Sequence, residues 1–279
     1  MIVFINGKFV PEEQATVSVF DRAFLYGDGL FETMRVINGK PFRWWEHMER
    51  LRRGGDFLGI KIPFGCKVLE KFAAELITQN KMPDALMRLT VSRGVGPRGY
   101  SPKGADKPTL VMTLHPAPGT PNSDSARWKL HTASLRLPAG DALAQFKTAN
   151  KLAQILARAE ADAAGADEAL LLNTDGHVVE GASSNLFWIE GKTVCTPPLT
   201  DGLLAGVTRA VTMEICQSLS LSLAERAVTP EQLRRADGVF LTLSSIGVAE
   251  AIALDGASLA TSPIAAQIRC AYEKLLLGS

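Results

Sequence analysis

Two lysines, Lys147 and Lys151 in the stretch QFKTANKLAQIL, are the first side chains whose type and spacing could do chemistry. The apolar residues that follow, centred on Leu152, predict a helix, and at about 100° per residue Lys151 falls on its solvated flank. Lys147 precedes that helix, where a side chain can be held at a domain interface. Shielding from water lowers the pKa of a lysine amine, which can then attack an aldehyde. An exposed surface charge is the alternative interpretation of Lys147.

A carboxylate and a helix start follow further along the chain. Glu180 ends a predicted strand, HVVE, and precedes the small polar residues GASSN, which would let a flat ring approach closely. A carboxylate there could keep a ring nitrogen protonated, although a glutamate at a strand end usually faces solvent. Gly206, Val207 and Thr208 begin a predicted helix whose free backbone amides could bind an anion. Helix capping by Thr208 explains the same residues equally well.

Hydroxyl groups and one arginine are further candidates. The cluster TLSSIG, residues 242–247, ends the predicted strand GVFLTL and could line the same pocket. Arg50 lies opposite the helical face formed by Trp45, Met48 and Leu51, so periodicity alone predicts an exposed side chain for it.

The segment GVGPRG, residues 94–99, matches the GxGxxG pattern of dinucleotide-binding sites. That pattern binds a pyrophosphate only where the third glycine opens a helix, and Tyr100-Ser101-Pro102 instead continues as a loop. We therefore do not expect a nicotinamide site. Arg98, inside the segment, remains a candidate contact for an anion.

The composition is that of a folded protein, with 46% hydrophobic and 21% charged residues among 279. The net charge of +1 predicts no broad surface for nucleic acid or anionic lipid, so a small-molecule partner is expected. The start MIVFINGKFV lacks the features of a signal peptide, and no apolar run approaches a membrane span, which favours a cytoplasmic enzyme. No CxxC motif or closely spaced histidine pair indicates a disulfide framework or a metal site.

Length predicts two domains, or one large one. The proline-rich stretch HPAPGTPNSDSA marks the predicted junction, which gives a small α/β domain over residues 1–116, a linker over 117–126 and a larger domain over 127–279. Two Asn-Gly hairpins, VFINGKFV and MRVINGKPF, open the first domain. In the second, we expect a helix after Lys151 to bury the stripe Leu152, Ile155, Leu156 and Ala159.

Seven motifs occur in the order and spacing of a known family: YGDGLFET, EHMERL, SRGVGPRGYS, KTANKL, EGASSNLF, LAGVTR and FLTLSS. They span nearly the whole chain, which resembles the class IV aminotransferases, whose cofactor is pyridoxal 5′-phosphate. The resemblance implies the two-domain α/β (α+β) architecture of fold-type IV enzymes, with the cofactor between the domains and most of its contacts in the second. It also implies a homodimer whose partner contributes part of the substrate pocket.

The resemblance further implies roles for individual residues. Lys147, at the head of KTANKL, would form the internal aldimine and, once freed, would move the Cα proton of the substrate. Glu180 would pair with the pyridine nitrogen, and Leu204 would pack against the ring. The phosphate would be held by Arg50, the Val207 amide, Thr208 and Ser244. The substrate pocket would include Phe31, Arg98, Tyr100 and Ser245.

The sequence defines the particular activity within this family less well. D-amino acid aminotransferases carry tyrosine where Phe31 stands and arginine-x-histidine at residues 98–100, whereas branched-chain enzymes share the phenylalanine. The loop SRGVGPRGYS most resembles aminodeoxychorismate lyase, but Glu32 and Arg88 replace a threonine and a lysine that are usual there. We expect an aminotransferase that moves an amino group between an amino acid, or an amine, and a 2-oxo acid, with Arg98 on a substrate carboxylate.

Two alternatives remain open at this point. An aminodeoxychorismate lyase would use the same Lys147 but would release 4-aminobenzoate and pyruvate. A non-catalytic binding protein or a nicotinamide oxidoreductase belongs to a different class, and it predicts a colourless protein.

Overall fold

A computed structural model of the chain describes residues 1–118 and 127–278, which form two compact units. The first unit comprises Met1–Ala117 together with Phe146–Lys151, and the second comprises residues 127–145 and Leu152–Gly278. The proposed linker, 117–126, falls mostly outside the described residues. The sequence-based division differs from these units at Phe146–Lys151, because this segment pairs with a strand of the first unit through the bridge between Leu30 and Thr148.

The first unit is an antiparallel sheet with helices. Its elements are β1 (Ile2–Ile5), β2 (Lys8–Pro11), α1 (Arg22–Tyr26), β3 (Gly29–Ile37), β4 (Lys40–Pro41), α2 (Trp44–Leu58), α3 (Cys66–Asn80), β5 (Ala85–Ser92) and β6 (Thr109–Pro116). The strand order is β2-β1-β6-β5-β3-β4. Both predicted Asn-Gly hairpins are confirmed, and Asn6 and Asn38 adopt the positive φ that such two-residue turns require.

The core of the first unit lies between one face of this sheet and helices α2 and α3. Leu30, Met34 and Val36 of β3 point into it at the two-residue period of a strand. The predicted alternation of β5 is confirmed, because Met87, Leu89 and Val91 are fully buried. One prediction for α2 is wrong: Trp45 is 51% exposed, and the neighbouring Trp44 packs in the core instead.

The second unit is built on a larger mixed sheet. Its elements are β7 (Arg127–Leu137), α4 (Leu152–Ala163), β8 (Glu168–Asn173), β9 (Val178–Gly181), β10 (Asn185–Glu190), β11 (Thr193–Thr196), α5 (Val207–Ser218), β12 (Ser222–Glu225), α6 (Pro230–Leu233), β13 (Gly238–Leu243), β14 (Gly247–Leu254), β15 (Ala257–Ser258) and α7 (Pro263–Leu277). The strand order is β12-β11-β10-β13-β14-β7-β8-β9, with β15 beside β14 and β9 also paired with β10.

Helix α4 exists where it was predicted, but its buried face was predicted wrongly. The expected stripe of Leu152, Ile155, Leu156 and Ala159 is exposed within the described chain. The helix packs with Ala157 and Ala161 instead, because these small side chains let its backbone approach the sheet closely. Lys151 precedes the helix, which begins at Leu152, and is partly buried rather than solvated on its flank.

Two helix starts agree with the sequence. Thr229 and Gln232 form the capping box predicted for α6, and the Ser262 side chain caps α7 ahead of Pro263. In the described residues no helix is both long and apolar enough to span a membrane.

Candidate active site

Lys147 is held in an extended segment that runs beside β3. Its carbonyl accepts a hydrogen bond from the Phe31 N–H at 2.9 Å, and the Ala149 N–H donates to the Gly29 carbonyl at 2.8 Å. The lysine side chain is partly buried, and its Nζ lies 4.7 Å from the centre of the Phe31 ring. Lys147 is therefore an anchored residue, and the alternative of a freely exposed surface charge is excluded.

Phe31 also contacts a second cation. The guanidinium carbon of Arg88, on the neighbouring strand β5, lies 3.9 Å from the centre of the Phe31 ring. Burial lowers the pKa of the Arg88 side chain, and its Nε donates to Thr90 Oγ1 at 3.3 Å. The predicted substrate residue Phe31 is thus a buried aromatic surface with the Lys147 amine and the Arg88 guanidinium within reach of its ring.

Arg50 is buried, contrary to the exposure that helical periodicity predicts, and only 8% of the residue is accessible. Its Nε and Nη2 donate to the two carboxylate oxygens of Glu32 at 2.8 and 2.5 Å, and His47 Nδ1 lies 2.6 Å from Glu32 Oε2. Burial by itself would raise the pKa of Glu32, but the charge and hydrogen bonds of Arg50, with those of His47, lower it to about 2. Burial lowers the pKa of His47, against the opposing effect of the Glu32 carboxylate.

Arg98 and Tyr100, the two predicted substrate residues of the glycine-rich loop, are exposed, and Tyr100 is 86% accessible. The loop backbone is nevertheless fixed. Arg22, which is 3% exposed, donates to the carbonyls of Gly99, Tyr100 and Ser101 while its Nε pairs with Asp28 at 2.7 Å. The loop therefore presents both side chains outward from a rigid backbone.

The GxGxxG match has a structural explanation without a nucleotide. No helix follows it, as the sequence predicts. Gly94 has φ +90°, and a Cβ atom there would lie 1.9 Å from the Lys107 carbonyl oxygen, so only glycine allows this approach of two backbone segments.

In the second unit, Glu180 is bound by groups from two other segments. The Leu204 N–H donates to Glu180 Oε2 at 3.0 Å, and Asn185 Nδ2 lies 3.4 Å from the same oxygen while donating to the Leu204 carbonyl at 2.9 Å. Glu180 is partly buried rather than solvent-facing. Asn185 thus joins the two residues that the sequence assigns to the cofactor ring.

The loop between β9 and β10 is fixed by a second carboxylate. Glu168 is fully buried, and its Oε2 accepts from the Ser183 N–H and Oγ at 3.2 and 2.7 Å and from the Ser184 Oγ at 3.1 Å. This loop connects Glu180 to Asn185, so both of its ends are held.

The start of α5 carries several hydrogen-bond donors. Gly206 is the N-cap residue and no side chain caps the helix, so Thr208 is not a capping residue. Its Oγ1 instead lies 3.4 Å from Ser244 Oγ, and the first amides of the helix have no acceptor within it. A Cβ atom at Gly206 would lie 1.9 Å from Asn185 Oδ1. The start of the helix therefore lies directly against Asn185, which contacts Glu180 and Leu204.

Three residues with hydroxyl groups lie at the end of β13. Ser244 and Ser245 follow the strand and are partly buried. Thr242, directly opposite Asn185 of β10, is 1% exposed, and its Oγ1 has no hydrogen-bond partner among the described residues. A buried hydroxyl without a partner is costly, so its place suits a polar ligand or a water molecule.

Sequence reasoning did not identify Glu32, His47 and Asn185 as site residues. His47 lies three positions before Arg50 on α2, and Glu32 is a charge within an apolar row, which is a recognisable signal. Asn185 stood within the small polar run after Glu180, but nothing in that pattern distinguished it from its serine neighbours.

Comparison with known proteins identifies the family of the chain. Residues 29–253 match the family Amino-transferase class IV. The chain is 29% identical to a Bacillus licheniformis D-alanine aminotransferase over 99% of its length and 98% of the relative. It superposes with TM-score 0.93 on a branched-chain aminotransferase from Thermoproteus uzoniensis, solved with norvaline, at 30% identity over 100% and 95% of the two chains. A Pseudomonas aeruginosa 4-amino-4-deoxychorismate lyase gives 0.87 at 34% identity over 99% of both.

Proposed function

Because this chain belongs to the class IV aminotransferase family, we propose that it is a pyridoxal 5′-phosphate-dependent aminotransferase that moves an amino group between an amino acid, or an amine, and a 2-oxo acid. The observation that carries the proposal is the anchored Lys147 amine beside the buried Phe31 ring. An amine held in this way can bind a carbonyl compound reversibly.

The residues present fit this cofactor. The amine of Lys147 would anchor it, and Glu180 would face the ring nitrogen with Leu204 against the ring. The unpartnered Thr242 hydroxyl and the uncapped start of α5 are polar groups that would suit a ligand with a phosphate. The phosphate would be held by Arg50, the Val207 amide, Thr208 and Ser244.

Once bound, pyridoxal 5′-phosphate supplies an electron sink for the electrons left at the substrate Cα. The chain supplies the groups that move and hold protons. The Lys147 amine would act as the general base that takes the proton from the substrate Cα, and as the acid that later gives it back. The Glu180 carboxylate, which the Leu204 amide and Asn185 hold in place, would keep a proton on the ring nitrogen.

Phe31, Arg98, Tyr100 and Ser245 are proposed to contact the substrate, with Arg98 on its carboxylate. Arg98 and Tyr100 are exposed on a rigid loop, which suits residues that act on a substrate bound by another copy of the chain. The proposed homodimer would cover some of the large apolar side chains that are exposed in the single chain. They include Phe20, Phe24, Leu152 and Ile155. A cytoplasmic location stays a prediction from the sequence.

An aminodeoxychorismate lyase is the second candidate, favoured by the Gly99-Tyr100-Ser101 segment and by the 34% identity to the Pseudomonas aeruginosa lyase. A spectroscopic screen distinguishes the two. D-amino acids, L-amino acids, (R)-amines and aminodeoxychorismate are each added to purified protein loaded with pyridoxal 5′-phosphate. The aminotransferase proposal expects at least one amino donor to bleach the visible band and a 2-oxo acid to restore it. Release of 4-aminobenzoate, with no bleaching by any amino donor, would establish the lyase instead.

A further inference from the structure

A carboxylate occupies a position of β3 that the strand period assigns to the hydrophobic core. Leu30 and Met34 on either side of Glu32 in the same row are buried core residues, and Glu32 itself is 1% exposed. Burial of a charge is unfavourable unless it is paired and hydrogen-bonded. A buried ion pair is also seldom more stabilising than an apolar replacement of similar size. An apolar side chain of similar size could therefore stabilise the fold as well as the paired Glu32 does.

The partners of Glu32 lie on one face of α2. His47 and Arg50 are three residues apart, so both side chains reach the same side of the helix. Arg50 donates through Nε and Nη2 to Oε1 and Oε2, and His47 Nδ1 lies against Oε2. Two parallel bonds fix the plane of the guanidinium, which a single bond would leave free to rotate. Because an ionised carboxylate only accepts hydrogen bonds, the His47 proton resides on Nδ1.

We propose that Glu32 is a positioning residue that holds the Arg50 guanidinium in one orientation for the phosphate of the cofactor, and that His47 fixes Glu32 in turn. The inference rests on the proposed function, in which Arg50 contacts that phosphate. Its physical basis is preorganisation: an arginine whose plane is already fixed loses less rotational freedom when it binds a phosphate.

The same helix carries a natural control. Glu49 and Arg52 form an ion pair with bonds of 2.7 and 2.9 Å, but both side chains are more than half exposed. Glu49→Gln removes an equivalent charge from α2 without touching the buried group. Any effect of charge on the helix as a whole would appear in both variants.

The change Glu32→Gln keeps the size of the side chain and removes one acceptor. A glutamine has a single acceptor oxygen, whereas the carboxylate serves Arg50 Nε, Arg50 Nη2 and His47 Nδ1. Its NH₂ group would face a donor, so the two-bond contact to Arg50 cannot persist. His47→Leu removes the bond to Oε2, while His47→Asn retains a donor near the position of Nδ1.

The test compares two ligands that differ only in the phosphate. Dissociation constants for pyridoxal 5′-phosphate and for pyridoxal are measured on the full-length chain freed of cofactor, by the visible absorbance of the Lys147 adduct. Glu32→Gln is expected to weaken binding of the phosphorylated ligand about tenfold or more, and that of pyridoxal less than about twofold. His47→Leu should shift the ratio of the two dissociation constants in the same direction as Glu32→Gln. His47→Asn and Glu49→Gln should keep the ratio of the wild type.

Several outcomes would overturn the inference. Equal weakening of both ligands would make Glu32 a purely structural residue, and an unchanged ratio would separate it from the phosphate altogether. If Glu32→Gln does not fold, the His47 pair decides: equal ratios in His47→Leu and His47→Asn contradict the inference. Wild-type protein that binds neither ligand at Lys147 would instead refute the proposed function.

Discussion

The ionised state of Glu32 predicts how the stability of the protein depends on acid. Its pKa is lowered from an ordinary value of 4.5 to about 2, because Arg50 and His47 outweigh the opposing effect of burial. A group whose pKa is lowered on folding stabilises the fold fully above its unfolded value, and this contribution is lost as the pH falls through the folded value. Glu32 should therefore stabilise the fold above about pH 5 and cease to do so towards about pH 2.

The magnitude follows from the same two values. At about 1.36 kcal/mol per pH unit, the difference between 4.5 and about 2 corresponds to about 3 kcal/mol of unfolding free energy at neutral pH. Glu32→Gln should lower the unfolding free energy by about that amount at pH 7. A protonated glutamate resembles glutamine in shape and charge, so the gap between wild type and variant should shrink as the pH falls from about 5 to about 3.

Urea unfolding followed by circular dichroism, at fixed protein concentration and without cofactor, measures this gap. Glu49→Gln is the matched control, and because that side chain is exposed its effect should stay small at every pH. Burial lowers the pKa of His47 and Glu32 raises it, so His47 adds acid sensitivity below about pH 6.5 that differs between the two proteins. The gap is therefore also measured in a His47→Asn background, where no imidazole titrates. A gap that stays constant from pH 7 to about pH 3 would refute the assignment of Glu32 as an ionised buried carboxylate.

Other predictions concern the helix start and the glycine-rich loop. Gly206→Ala should weaken cofactor binding about tenfold, because its Cβ would lie 1.9 Å from Asn185 Oδ1, whereas Gly65→Ala meets no atom within 4 Å and should have no effect; equilibrium dialysis measures both. Arg22→Lys removes the multiple contacts to the loop carbonyls and should raise KM for a carboxylate substrate several-fold, with kcat nearly unchanged. A fall in kcat alone would show that the loop does not position Arg98.

The elements of the fold were predictable where local chemistry decides them. Asn-Gly turns specify both hairpins of the first unit, and strict alternation identifies β5. The buried side of a helix is a different matter, because it depends on what covers it. In α4 the larger residues Leu152 and Ile155 stay exposed in the described chain, while Ala157 and Ala161 face the sheet.

Some residues of the candidate site were also predictable from their neighbours in the sequence, and others were not. Periodicity could place Lys147 before a helix and Glu180 at a strand end, since both positions follow from neighbouring residues. It could not predict that Arg50 is buried, because an arginine opposite the apolar face of a helix is expected to be exposed unless its partner is known. That partner, Glu32, is 18 residues away on a strand, so only the tertiary structure brings the two together.

The central claim is that Lys147 binds the cofactor covalently, and borohydride reduction tests it most directly. Purified protein saturated with pyridoxal 5′-phosphate is reduced, digested and examined by mass spectrometry. We predict loss of the visible band and a pyridoxyl phosphate label on Lys147, with no label in Lys147→Ala. A colourless protein, or a label that persists elsewhere in that variant, would contradict the account.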